Sequence, residues 1–176
     1  LTVVAEIDRV ATPDAGAEAD TIKASSPAFN LETRSGPLLA TLTTLKTTFR
    51  NVQAAKLIQG PLKIDAAMDI DPVLIRVEKI ALESPKLGGT ISGDFDLVTR
   101  QASSVFNLFV LPDAVLPAEL AAKAKGTIAL SARVFATLPD KAEITDLKLV
   151  SNLMTGEGKA RYDAGALTAS LRSTLS

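Results

Sequence analysis

The sequence predicts an all-β fold: an elongated, curved antiparallel β-sheet forming a groove, with one short helix. Three observations carry that expectation. The first is a period of two. Leu62, Ile64, Ala66, Met68 and Ile70 alternate with Lys63, Asp65, Ala67, Asp69 and Asp71. A strand puts these two sets on opposite faces, whereas a helix would scatter them around its circumference. The second is punctuation. Gly60-Pro61, Asp71-Pro72, Leu138-Pro-Asp-Lys141 and Asp163-Ala-Gly165 cut the chain into strand-length pieces in meander order. The third is the kind of apolar residue. Aromatics are 4% of the chain against 47% hydrophobic residues, so the apolar content is Leu, Ile, Val and Ala. That set suits a pleated, half-buried surface better than a sandwich core built on aromatic anchors.

Taken in order, Leu1 to Val10 reads as a strand, Asp14-Ala-Gly16 as a turn, and Asp20 to Ala24 as a short second strand broken by Ser25-Ser-Pro27. Extended structure resumes at Phe29 to Thr33 and runs to Gly36-Pro37; Leu38 to Thr48, rich in Thr and Leu, is the next strand. Phe49 to Ile58 is read as a further strand, and Gly60 to Asp71 follows. In Val73 to Ser84 the apolar parity changes across Glu78-Lys79: Ile75 and Val77 share one parity, Ile80 and Leu82 the other. A bulge there keeps the apolar side facing one way. Pro85 to Gly89 reads as a turn. Thr90 to Val98 alternates, with Ile91, Gly93, Phe95 and Leu97 on one side, and Ser103 to Leu111 is the most apolar strand. Pro117 to Gly126 carries Pro in its first turn, Glu119 near its start, Lys near its end and Gly after it, the marks of a short helix. Strands resume at Thr127 to Val134, Glu143 to Val150, Gly156 to Tyr162 and Leu167 to Thr174.

A repeat is visible. Gly60-x-Leu-x-Ile-x-Ala matches Gly126-x-Ile-x-Leu-x-Ala132, and Val77-x-x-Ile80-x-Leu82-x-Ser84 matches Ile144-x-x-Leu147-x-Leu149-x-Ser151. Such β units cannot bury an apolar face alone and stack in series. The chain is therefore expected to be one groove segment, with repeat units at 60–125 and 126–176. Because it begins at Leu1, it is expected to belong to a longer protein.

Composition removes whole classes of function. There is no His and no Cys, so imidazole shuttling, thiol nucleophiles, disulfides and zinc sites with those ligands are excluded. A net charge of −1 offers no basic footprint, so no nucleic acid is expected as partner. Asp65, Asp69 and Asp71 read as a solvated outer face rather than a cation site, as do Asp94 and Asp96. Gly88-Gly89 lacks the helix and Lys-Ser/Thr signature of a phosphate loop. No catalytic residue, metal or cofactor is assigned, and the chain is not expected to be an enzyme. The longest apolar run, Val105 to Leu111, is far short of the ~20 residues of a membrane-spanning helix.

Three stretches carry a resemblance to a known family: Gly60-Pro-Leu-Lys-Ile-Asp-Ala with Ile80-Ala-Leu-Glu-Ser84; Leu116-Pro-Ala-Glu-Leu-Ala-Ala-Lys-Ala-Lys-Gly-Thr-Ile-Ala-Leu-Ser131; and Ile144-Thr-Asp-Leu-Lys-Leu-Val-Ser151 with Gly156-Glu-Gly158. Together they resemble the TamB family, inner-membrane subunits of the translocation and assembly module of Gram-negative bacteria, within the wider AsmA-like group. The resemblance covers roughly residues 56–176. It implies a taco-like periplasmic β-groove anchored in the inner membrane. It also implies a TamA-like outer-membrane barrel as partner, and two roles: assembly of outer-membrane client proteins such as autotransporters, and phospholipid transfer between the membranes.

In the groove reading the inward residues touch phospholipid acyl chains: Leu62, Ile64, Met68, Ile70, Ile91, Phe95, Leu97, Ile128 and Leu130. Outward neighbours such as Lys63, Asp69, Asp94 and Arg133 do not. The alternative is a structural or interaction β-sandwich of a surface or secreted protein, whose apolar face is its own core.

Overall fold

Apolar–polar alternation builds strands, and short polar turns between them leave antiparallel pairing of sequence neighbours as the only short connection. The computed structural model describes residues 2–5, 10–11, 15–49, 56–58 and 60–175. Its strands are β1 Thr2–Ala5, β2 Val10–Ala11, β3 Ala15–Ser25, β4 Gly36–Phe49, β5 Leu62–Ile70, β6 Leu74–Glu83, β7 Leu87–Asp96, β8 Gln101–Val110, β9 Ile128–Thr137, β10 Lys141–Val150, β11 Met154–Asp163 and β12 Ala166–Leu175. Two one-turn helices, α1 Pro112–Val115 and α2 Ala118–Ala121, lie between β8 and β9. The strands form one twelve-stranded antiparallel sheet: from β3 to β12 they lie in sequence order, and β1 and β2 both pair with the outer edge of β3. The sheet is open, not a closed barrel, and no second sheet packs on it among the described residues. The sandwich alternative therefore lacks its partner layer.

The parity change at Glu78-Lys79 is a bulge. Met68 pairs with Val77 while its neighbour Ala67 pairs with Lys79, so Glu78 is the extra residue. A second bulge lies between Ile144 and Leu147, where Asp146 takes a φ of 52°. The strands β5 to β8 begin at residues 62, 74, 87 and 101, and β9 to β12 at 128, 141, 154 and 166, offsets of 66, 67, 67 and 65. The bulges and the turn serines Ser84 and Ser151 recur at the same spacing. Each serine Oγ accepts the N–H three residues on, from Leu87 and from Met154.

Several boundaries differ from the sequence expectation. Ala15 and Gly16, read as a turn, begin β3. Phe29 to Thr33 is a turn, because Asn30 Oδ1 accepts the N–H groups of Glu32 and Thr33 at 2.9 and 3.2 Å and folds the chain back onto Ser35. Of the proposed strand Phe49 to Ile58, residues 50–55 lie outside the described residues, and residues 56–58 are not strand. Gly88 and Gly89 lie inside β7. A Cβ on Gly88 would meet the Phe109 ring at 2.3 Å, and one on Gly89 would meet the Asn107 carbonyl oxygen at 2.2 Å. Glycine there permits close approach between strands and serves no turn. The helix expected over Pro117–Gly126 is one turn only, α2, preceded by α1. Leu116-Pro117 separates the two, since a residue before proline is held extended.

Little is sealed from water. Leu62, Ala114 and Ile128 are the buried hydrophobic residues among those described. The aliphatic side is the less exposed of the two faces. On β10, Leu149 is half-buried while its neighbour Val150 on the other face is 50% exposed. On β9, Val134 is half-buried and Phe135 exposed. No second sheet covers the aliphatic side among the described residues, so most of its shielding comes from its own side chains.

Candidate functional site

Register decides which residues meet. One cross-strand row runs Ile22–Leu42–Ile64–Leu82–Gly89–Leu108–Leu130–Leu149. A second runs Ala66–Ile80–Ile91–Phe106–Ala132, a third Leu38–Met68–Val77–Gly93–Ser104–Val134–Ile144, and a fourth Ile70–Ile75–Phe95–Ala102–Ala136–Ala142. The bulges at Glu78 and Asp146 keep these rows in phase, because without the extra residue half of β6 and half of β10 would turn their aliphatic side chains outward. With strands about 4.8 Å apart, the first row spans about 34 Å. That exceeds the ~15 Å of one bilayer leaflet's hydrocarbon.

Of the nine residues expected to line the groove, Leu62, Ile64, Met68, Ile70, Ile91, Phe95, Ile128 and Leu130 share this face. Leu97 does not. Asp96 Oδ1 accepts the N–H groups of Val98 and Thr99, each at 2.8 Å, so β7 ends at Asp96 and Leu97 stands in the following turn, 41% exposed. The same bonds, the Thr99 N–H foremost, hold the Asp96 carboxyl below the usual carboxylate range.

The opposite face carries the charges, together with the exposed apolar side chains of Val105, Phe109, Phe135 and Val150. Lys63 pairs with Asp65 at 2.7 Å, and Asp65 also accepts the Thr41 hydroxyl at 2.8 Å. These bonds lower the Asp65 pKa and raise that of Lys63. Arg76 pairs with Asp94 at 3.4 Å and Arg161 with Asp163 at 3.0 Å. Among the described residues no group of three acidic side chains is placed to hold a metal ion. Asp71, expected beside Asp65 and Asp69, caps the β5–β6 turn through the Val73 N–H instead.

One part of the site has no counterpart in the sequence expectation. At the end of the sheet that carries the β6–β7, β8–β9 and β10–β11 connections, the segment 112–126 folds over the aliphatic face. Below it lies a pocket of about 310 Å³ lined by Val110, Val115, Leu116, Leu120, Ile128, Leu130, Leu149, Ser151, Leu153, Met154 and Leu175. The segment is fastened on both sides. Lys86 pairs with Asp113 at 2.8 Å and its carbonyl accepts the Leu111 N–H. Asn152 Oδ1 accepts the Lys125 N–H at 2.9 Å, and its Nδ2 donates to the Lys123 carbonyl at 3.4 Å. The signal in the sequence was Val115, Leu116 and Leu120 on a segment otherwise of Ala, Pro, Gly and charged residues.

The fold and this surface define a class: an open, single-layer, amphipathic β-sheet whose inner face is mostly aliphatic. No protein-family model matches the chain, and no curated protein or solved structure is found similar to it.

Proposed function

We propose that this chain is a periplasmic groove segment of a TamB-like protein anchored in the inner membrane of a Gram-negative bacterium, and that its aliphatic face carries phospholipid acyl chains between the membranes. The observation that carries this reading is the run of aliphatic rows across eight strands with no polar partner layer over them. Burying a methylene is worth about 0.8 kcal/mol, so a sixteen-carbon tail in water costs on the order of 12 kcal/mol. Rows made mostly of Leu, Ile, Val and Ala hold a tail at nearly constant free energy along the sheet, and Ser104 is the one hydroxyl residue in them. The chain performs no catalysis in this reading.

A second role rests on a different observation. β12 pairs only with β11, and its outer edge is free among the described residues, with Leu167, Leu171 and Leu175 exposed by 73, 63 and 82%. An open sheet edge is a template for strand addition, and in this second reading outer-membrane client proteins delivered to a TamA-like barrel pair with the sheet in that way.

Site-specific photo-cross-linking tests the lipid reading. A benzophenone residue at Ile64, Ile91 or Leu108 should capture phospholipid, and one at Lys63, Thr90 or Asn107, next door on the other face, should not. Equal capture from both faces would refute it.

A further inference from the structure

We infer that the pocket under segment 112–126 is an entry port for one anionic phospholipid, its tail passing through the pocket onto the aliphatic rows and its phosphate held outside at Lys123 and Lys125. This rests on the lipid reading of the face and adds a place and a headgroup preference. The pocket wall is hydrocarbon except for Ser151, and that hydroxyl is committed: it accepts the N–H groups of Leu153 and Met154 at 3.2 and 3.1 Å. A peptide or a sugar brings polar groups that such a wall leaves unpaired, which is costly when buried; an alkyl chain brings none. The pocket is continuous with the track, because Leu130 and Leu149 line it and also stand in the first aliphatic row.

Charge selects the headgroup. Lys123 and Lys125 are exposed and have no acidic partner within ion-pair distance among the described residues, whereas Lys86, on the other side of the segment, is neutralised by Asp113. Their backbones are bonded to Asn152, whose neighbours Ser151 and Leu153 line the pocket. Two lysines without an ion-pair partner among the described residues therefore lie on the chain segment tied to the pocket wall through Asn152, which suits a headgroup of net negative charge better than a zwitterionic or neutral one.

The test uses the full chain with benzophenone at Val115 or Leu153, phosphatidylglycerol vesicles, and phosphatidylcholine vesicles as comparison. The expected result is capture of phosphatidylglycerol at both positions, reduced about fivefold or more in Lys123→Glu/Lys125→Glu, a variant of exposed residues that leaves the circular-dichroism spectrum unchanged. Leu149→Trp, which fills the pocket, should reduce capture at Val115 while capture at Ile91 persists. Capture at Ile64 and Ile91 with none at Val115 or Leu153 overturns the port and leaves the track standing. Capture at the pocket that ignores both the charge reversal and the headgroup overturns the assignment of the phosphate. Capture at none of these positions overturns the lipid reading itself.

Discussion

Placing a carboxylate at Met68 separates an open groove from a sealed core. Met68 stands between Leu38 of β4 and Val77 of β6 and is half-buried. Burying a Met side chain fully is worth about 1.5–3 kcal/mol, so Met68→Asp forfeits about 1–1.5 kcal/mol of apolar burial. The new carboxylate is reached by water from the open side and escapes the larger penalty of an unpaired charge in an apolar interior. A loss of about 1–2 kcal/mol lowers Tm by roughly 2–8 °C in a chain of this length. Ile128 is different. It is 7% exposed and stands in the apolar wall of the pocket under segment 112–126, so Ile128→Arg sets a charge among hydrocarbon side chains with no acidic partner in that wall, at several kcal/mol. Melting curves followed by circular dichroism, with lipid cross-linking on the same samples, should show Met68→Asp folded but impaired in lipid contact and Ile128→Arg grossly destabilised. If Met68→Asp is as destructive as Ile128→Arg, the face is a packed core and the groove argument fails.

Three further outcomes follow from the geometry. Gly89→Ala puts a methyl group 2.2 Å from the Asn107 carbonyl oxygen at a φ of 144°; a loss of about 2 kcal/mol or more, read by denaturant melting, is expected, and a neutral result would mean that β7 and β8 are not so close. Asn152→Ala removes both bonds to Lys123 and Lys125; amide hydrogen exchange in residues 112–126 should quicken while β5 to β8 stay protected, and uniform protection would contradict the tether. The Asp65 carboxyl is depressed by Lys63 and Thr41, so its contribution to stability is full above the ordinary carboxylate pKa and is lost as pH falls through its lowered value. Lys63 is raised, so its share is complete below the ordinary lysine pKa and fades as pH rises beyond it. Asp65→Asn should flatten the acid limb of the stability profile, which an unchanged limb would disprove.

What was legible in the sequence was local. Alternation in Leu62 to Ile70 placed β5, and the parity change at Glu78-Lys79 placed a bulge, because each depends on residues a few positions apart. The type I′ hairpin at Ala164-Gly165, where both φ values are positive and Asp163 pairs with Ala166, is written in Asp163-Ala-Gly165. Leu97 was misplaced because alternation was followed through Asp96, although an Asp that folds the chain over its next residues is a stop signal; Asn30 and Asp71 act the same way. Gly88-Gly89 has the composition of a turn, and only the Phe109 ring and the Asn107 carbonyl, on the next strand, give it its real purpose. The pocket was invisible for the same reason: it joins Val115 and Leu120 to Leu149, Leu153 and Leu175 through the register of β8 to β12.

Native mass spectrometry of the freshly purified chain tests the central claim most directly. The account predicts a population carrying the mass of a co-purified phospholipid, stripped by detergent exchange and diminished in Met68→Asp at unchanged fold. A chain that is lipid-free as isolated, and stays lipid-free after incubation with phosphatidylglycerol vesicles, would contradict it.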